Sequence, residues 1–162
     1  MGRALVMATA PLAFDVIWVD PRPNAFPRLV PDNVTLLQPE QPETVLNDAP
    51  NGSLAFIMSH SHALDLSLTA ASLRNPHIAH VGLIGSATKR SRFEKRLAEA
   101  GIDETRIAAL ICPIGIGGIT SKAPVDIAVA TSAQLLILHE TLQKTFGVAS
   151  VSGVRRVEGK RA

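Results

Sequence analysis

Apolar residues in this chain come in short blocks, divided by longer stretches in which they recur at helical spacing. Leu5, Ala8 and Leu12 fall on one helical face and predict a helix over Gly2–Leu12. Asp15–Asp20 is an apolar strand closed by an acid, and Pro21–Pro31 carries four prolines, too many for regular structure. Val34–Leu37 is a second strand, and Pro42–Asp48 is a short helix with Asn51-Gly52 as the turn after it. Leu54–Met58 is a third strand, leading into Ser59-His60-Ser61-His62. A helix over Leu64–Leu73 stops at Asn75-Pro76. His80–Ile84 is a fourth strand, and Thr88–Ala100 a helix ended by Gly101 at the position that favours a left-handed residue. Ile107–Ile111 is expected as a fifth short strand. The glycine-bearing loop Cys112–Ser121 then leads to a long helix from Pro124 to about Thr145, with proline where the first turn needs no N–H.

Strands that are continuously apolar and alternate with helices belong to a parallel sheet covered on both faces. The fold class is therefore α/β, a doubly wound Rossmann-like parallel sheet. Residues 1–146 form one domain, and 147–162, rich in charge and glycine, read as a flexible tail. With 162 residues, 46% hydrophobic and 19% charged, the chain has material for one core and is not compositionally disordered. A net charge of +2 gives no footprint for nucleic acid. No apolar run uninterrupted by charge reaches the roughly 18 residues of a membrane span. The run Ala4–Phe14 resembles a short signal peptide, but it contains Pro11, follows one positive charge and runs straight into a strand, so a packed helix is the better reading. The single cysteine, Cys112, excludes an internal disulfide and fits a reducing, cytoplasmic setting.

Ligands of doubly wound sheets gather at the carboxyl ends of the strands. Asp20 ends its strand 18 residues after Gly2, where an acid accepts from a ribose hydroxyl; a plain strand-end cap accounts for it as well. Arg22 is placed to hold a phosphate instead. His60 and His62 flank Ser61 after a buried strand, with Asp65 beyond; they suit a ligand-facing loop better than a metal, which that set under-supplies. Gly85 and Ser86 join a strand end to a helix start, where backbone N–H groups attract anions, and Lys89 adds charge. Arg90, Arg92, Lys95 and Arg96 read mostly as a solvated face. Cys112 is a weak catalytic candidate: no sequence neighbour lowers its pKa, and a small buried residue is the commoner role.

Taken together, Ile57–Asp65, Val81–Ser86 with the basic helix Lys89–Arg96, and Cys112-Pro-Ile-Gly115 resemble the C-terminal Rossmann domain of the xanthine dehydrogenase accessory proteins, the XdhC-like family. The likeness runs from Gly2 to about Glu140. It implies binding of the molybdenum cofactor (molybdopterin), help with its sulfuration and insertion, and xanthine dehydrogenase and a cysteine desulfurase as partners, with homo-oligomers possible for the fold. The family's glycine motif G-A-G-H-V-G-R-A-L is reduced here to Gly2-Arg3-Ala4-Leu5, with Met1 where the family has Val, as expected of a fragment or of a start placed too late. The first strand and most of the glycine loop are therefore expected to be missing, which puts NAD(P) phosphate binding in doubt. The implied role is a cofactor-handling accessory protein rather than a turnover enzyme. The alternative, an NAD(P)-dependent oxidoreductase, rests on fold alone and has His60 as its best proton donor.

Overall fold

The structure, a computed structural model, describes residues 1–146. The tail expected over 147–162 lies outside the described residues. The chain runs α1 (Gly2–Thr9), β1 (Val16–Val19), β2 (Val34–Leu37), a 3-10 turn (Pro42–Asp48), β3 (Ser53–Ile57), α2 (His62–Arg74), β4 (Ile78–Leu83), α3 (Ala87–Glu99), α4 (Glu104–Ala108) and α5 (Pro124–Phe146). Ser61 and Ser86 cap α2 and α3, their hydroxyls accepting from the N–H groups of Leu64 and Lys89. Gly101 takes φ +72° after α3, as the sequence predicts.

The expected fifth strand is a correction. Residues 104–108 are helical because Asp103 caps them, its carboxylate accepting from the N–H groups of Thr105 and Arg106. What remains of the strand is one parallel bridge, Gly82 to Ile111. The parallel strands form two separate two-stranded sheets, β1 with β2 and β3 with β4, instead of one continuous sheet. This is the arrangement expected when the central strand of a doubly wound sheet is missing. β4 is largely buried, whereas β1 and β3 are mostly only half-buried.

The main core lies between β3, β4 and helices α2 to α4, with Ile78, Leu83 and Leu97 fully enclosed. A second cluster gathers Leu5 of α1 and Ala128 and Leu135 of α5 over Leu54, Phe56 and Met58. Gly82 is where β4 passes under this layer: a Cβ there would stand 2.8 Å from the Phe56 ring and 2.9 Å from Ile114 Cγ2. Arg106 locks α4 against the end of α2, its guanidinium donating to the carbonyls of Leu73, Ser72, Asn75 and Ile78 at 2.9–3.4 Å. It also lies beside His80, whose pKa is held down by burial and by that charge.

Among the described residues α5 is long and apolar enough to cross a membrane by length and composition, although Asp126 and Glu140 interrupt it with charge. Its apolarity has a local use on one side, where Ala128, Ala130 and Leu135 are buried. Val125, Val129 and Ile137 are exposed on the other, and an open apolar groove of about 630 Å³ runs between α5 and α1.

One buried ion pair ties the layers together. Lys89 of α3 donates to Asp65 Oδ2 of α2 at 2.6 Å and to the carbonyl of Ile84 at 2.8 Å. Asp65 Oδ1 accepts from the Ser59 N–H at 2.8 Å. The two side chains are 12% and 4% exposed, so the charges are compensated almost wholly by each other and by these backbone groups. The ammonium also stands 5.2 Å from the centre of the Phe93 ring.

Two substitutions test this packing. Gly82→Ala should destabilise the domain by about 1–3 kcal/mol, the usual cost of overpacking, and pairing it with Phe56→Leu should restore part of the loss in a denaturant titration. Lys89→Met, which leaves the Asp65 carboxylate buried and unanswered, should cost about 3–5 kcal/mol. Adding Asp65→Asn to it should recover part of that loss; simple additivity of the two changes would count against a compensated pair.

Candidate functional site

The residues singled out from the sequence sit at the carboxyl ends of the strands, in two groups. Asp20 follows β1 and donates its N–H to the Leu37 carbonyl, which fixes its backbone to the end of β2. Arg22 wraps around its carboxylate. The Arg22 N–H and Nε donate to Asp20 Oδ1 at 3.1 and 3.0 Å, and a terminal nitrogen donates to Oδ2 at 2.7 Å. That side-chain hydrogen bond holds the Asp20 pKa below its ordinary value against the effect of burial, and the nearby His60 ring contributes in the same direction. Asp20, Arg22 and His60 thus belong to one neighbourhood. Gly2 lies against the Trp18 side chain of β1, a Cβ there coming within 3.5 Å of Trp18 Nε1.

The loop after β3 is shaped by its own serines. Ser59 Oγ donates to the Ser61 carbonyl at 2.9 Å and accepts from the Ser61 N–H at 3.1 Å. With the Ser59 N–H on Asp65, this leaves His60 and His62 exposed on a fixed turn. Among the described residues no group of three or more histidine, cysteine, aspartate or glutamate side chains is placed to hold a metal.

The second group surrounds the turn from β4 to α3. Gly85 and Ser86 are exposed, and α3 opens there with Ser86 as its cap. A Cβ on Gly85 would meet Lys89 Cδ at 2.7 Å and Cys112 Sγ at 3.2 Å, so Gly85, Lys89 and Cys112 are packed face to face. Lys89 points inward to Asp65, and the α3 N-terminus presents backbone donors and the Ser86 hydroxyl rather than a free ammonium. Cys112 is 5% exposed. Burial pushes its thiol pKa up, outweighing the opposite pull of Lys89 and Arg90, so the sulfur is held as a thiol. Through Asp65 the two groups are joined, since its carboxylate holds both the loop of His60 and the lysine of the second turn.

Sequence reasoning missed the residues that brace the site. Gln134 of α5 clamps Gly115, accepting from its N–H at 2.9 Å and donating to its carbonyl at 3.4 Å. Its signal was present as the one long polar side chain within the apolar stretch Ile127–Leu138. Arg90, read as surface charge, reaches the carbonyls of Ala108 and Cys112 at 3.3 and 3.5 Å while paired with Glu94. Nothing in its local sequence distinguishes it from Arg92 or Arg96.

Comparison with known proteins agrees with this architecture. YqeB of Escherichia coli (strain K12), described as uncharacterized, is 29% identical over 137 residues, which are 84% of this chain and 25% of YqeB. A crystal structure described as a xanthine dehydrogenase from Bacillus halodurans superimposes with a TM-score of 0.70 at 19% identity, covering 88% of this chain and 42% of that one. At that identity the likeness concerns the fold. The chain therefore spans a quarter of one relative and less than half of the other. The XdhC Rossmann domain family matches residues 1–135, nearly all of the described chain, and the protein belongs to that family.

Proposed function

We propose that this domain is the cofactor-handling part of a xanthine dehydrogenase accessory protein. Its cargo is the molybdenum cofactor, which it binds and helps to sulfurate and insert, with xanthine dehydrogenase and a cysteine desulfurase as partners. The observation that supports this reading best is the joining of two exposed polar turns, His60–His62 and Gly85–Ser86, by one buried carboxylate. A phosphorylated pterin needs an anion-binding end and a polar wall. The backbone N–H groups opening α3 suit the phosphate, and the Ser86 hydroxyl stands beside them. The exposed His60 imidazole, on the turn that Asp65 holds, supplies an adaptable donor or acceptor for the ring system. Cys112, buried as a thiol, is a wall of this site and not the carrier of sulfur.

The oxidoreductase reading has Asp20 in its favour, at the end of the strand where a ribose-binding acid belongs. Against it, both Asp20 oxygens already accept from Arg22. A ribose would have to compete with a bidentate guanidinium for that carboxylate.

Titrating molybdopterin, NAD and NADP separately against the protein distinguishes these readings. Molybdopterin should bind, and Ser86→Asp, which puts a negative charge at the anion end, should weaken it at least about tenfold, or 1.4 kcal/mol. Cys112→Ser should change affinity less than Ser86→Asp does. A larger loss from the cysteine change would favour direct sulfur chemistry, and binding of a dinucleotide without molybdopterin would favour the oxidoreductase.

The thiol has its own test. Native protein at pH 8 should react with iodoacetamide far more slowly than unfolded protein, because burial both shields Cys112 and raises its pKa. The raised pKa also means that stability is lost as pH climbs past the unfolded thiol's value near 8.5, since the unfolded chain gives up that proton first. Rapid native alkylation would show that the sulfur is accessible after all.

A further inference from the structure

Helix α3 turns Phe93 and Leu97 into the core and leaves Arg92, Lys95 and Arg96 exposed on its outer side. At helical geometry the three fall within about 100° of arc and about 6 Å of rise, so they form one patch. Among the described residues none of them forms an ion pair, whereas Lys89 and Arg90 of the same helix do. Glu94 is taken by Arg90, and the exposed Glu99, one turn beyond Lys95 and Arg96, pairs with neither. The other described cations outside ion pairs differ. Arg74 and Arg106 bind carbonyls, and Arg3, Arg28, Lys122 and Lys144 stand singly along the chain.

Such a patch works against its own helix. Like charges three and four positions apart repel, and Arg92 stands at those spacings from Lys95 and Arg96. The first turn of α3 holds no acid, and its backbone dipole adds to the same positive field. The patch belongs to the layer of α2, α3 and α4, which Ala55 and Ile57 of β3 face. Leu54 and Phe56 face the opposite layer, where α1 and α5 pack.

We propose that the outer face of α3 is the docking surface for an acidic patch on a partner protein, with two or three carboxylates spread over about one helical turn. Charge complementarity selects this occupant. No large apolar side chain is exposed on α3, so the contact is polar, weakened by salt, and quick to form and release. A nucleic-acid backbone fits less well, because three cations without an exposed aromatic neighbour give neither a long positive track nor a stacking platform. Gly85 and Ser86 lead into the same helix, so a partner seated here borders the crevice. Docking of this kind does not depend on which ligand the crevice holds.

The test uses the full chain and a fluorescein-labelled acidic peptide, Ala-Glu-Glu-Ala-Ala-Glu-Glu-Ala-Ala-Glu-Glu-Ala, in anisotropy titrations. The peptide should bind at about 50 mM salt and at least tenfold more weakly at about 500 mM. Arg92→Glu, Lys95→Glu and Arg96→Glu together should weaken binding at least tenfold. Arg28→Glu, Lys122→Glu and Lys144→Glu, the same change in net charge away from the patch, should weaken it less than threefold. Glutamine at positions 92, 95 and 96 should also weaken binding while leaving the melting temperature unchanged or higher, because repulsion within the helix is relieved. A lower melting temperature in that variant would mean that the cations serve the fold, and would overturn the proposal. Equal losses from the two glutamate triples would mean attraction to overall charge. Absence of binding by the native protein, or tighter binding of a thymidine oligonucleotide of equal charge, would refute the docking surface as well. Expressed with any coding sequence that precedes Met1, the protein should bind the peptide equally; loss in that form would show the face covered within its own chain and would overturn docking from outside.

Discussion

The carboxylate of Asp65 is almost out of reach of water, and the geometry around it follows from that fact. A buried charge must be answered at short range, and Lys89 answers it from a helix 24 residues further on. Because the ammonium is drawn inward, Phe93 and the Ile84 carbonyl become its remaining environment, and the first turn of α3 is left to its backbone donors. Because the other carboxylate oxygen takes the Ser59 N–H, the turn bearing His60 and His62 has one position relative to β4. One concealed pair thus orients two exposed loops, the turn of His60 and the start of α3.

Local rules explain which parts of this fold were readable from the sequence. β2 has the bounds its apolar run predicts, and Gly101 and Pro124 mark a helix end and a helix start where their backbone preferences demand. Ile107–Ile111 misled because an apolar run does not reveal its own period when it is short, while the capping aspartate ahead of it, Asp103, did carry the helical signal. Asp20, His60 and Ser86 were legible as strand-end residues for the same local reason. Their partners were not. Pairing Asp65 with Lys89, or Gln134 with Gly115, requires knowing which helices meet, and hydrophobic periodicity encodes exposure without naming the neighbour.

The half-buried state of β1 and β3 also has a physical reading. Parallel strands are ordinarily covered on both faces and paired on both edges, and a two-stranded sheet alone is marginal. Here the burden falls on the helices. α2, α3 and α4 enclose one sheet, Arg106 gathers four carbonyls at the end of α2, and α1 packs with α5 over the remainder. The better-covered half, β3 with β4, is also the half that carries the Gly85–Ser86 turn and the buried thiol.

The segment between Cys112 and α5 is tied to that helix at its beginning, by Gln134 on Gly115 and by the Ile116 N–H donating to the Ala130 carbonyl, while further on its bonds are local, the Ala123 N–H donating to Ser121 Oγ. Residues 117–126 are exposed without interruption and include Lys122. A protease specific for basic side chains therefore meets an accessible cleavage bond at the threshold of α5. A cut there would sever the covalent link to that helix without touching what seats it: Ala128 and Leu135 against α1, and Gln134 on Gly115. The nicked protein would remain a single particle made of two chains, with α5 retained by its packing and by its bonds to Gly115 and Ile116.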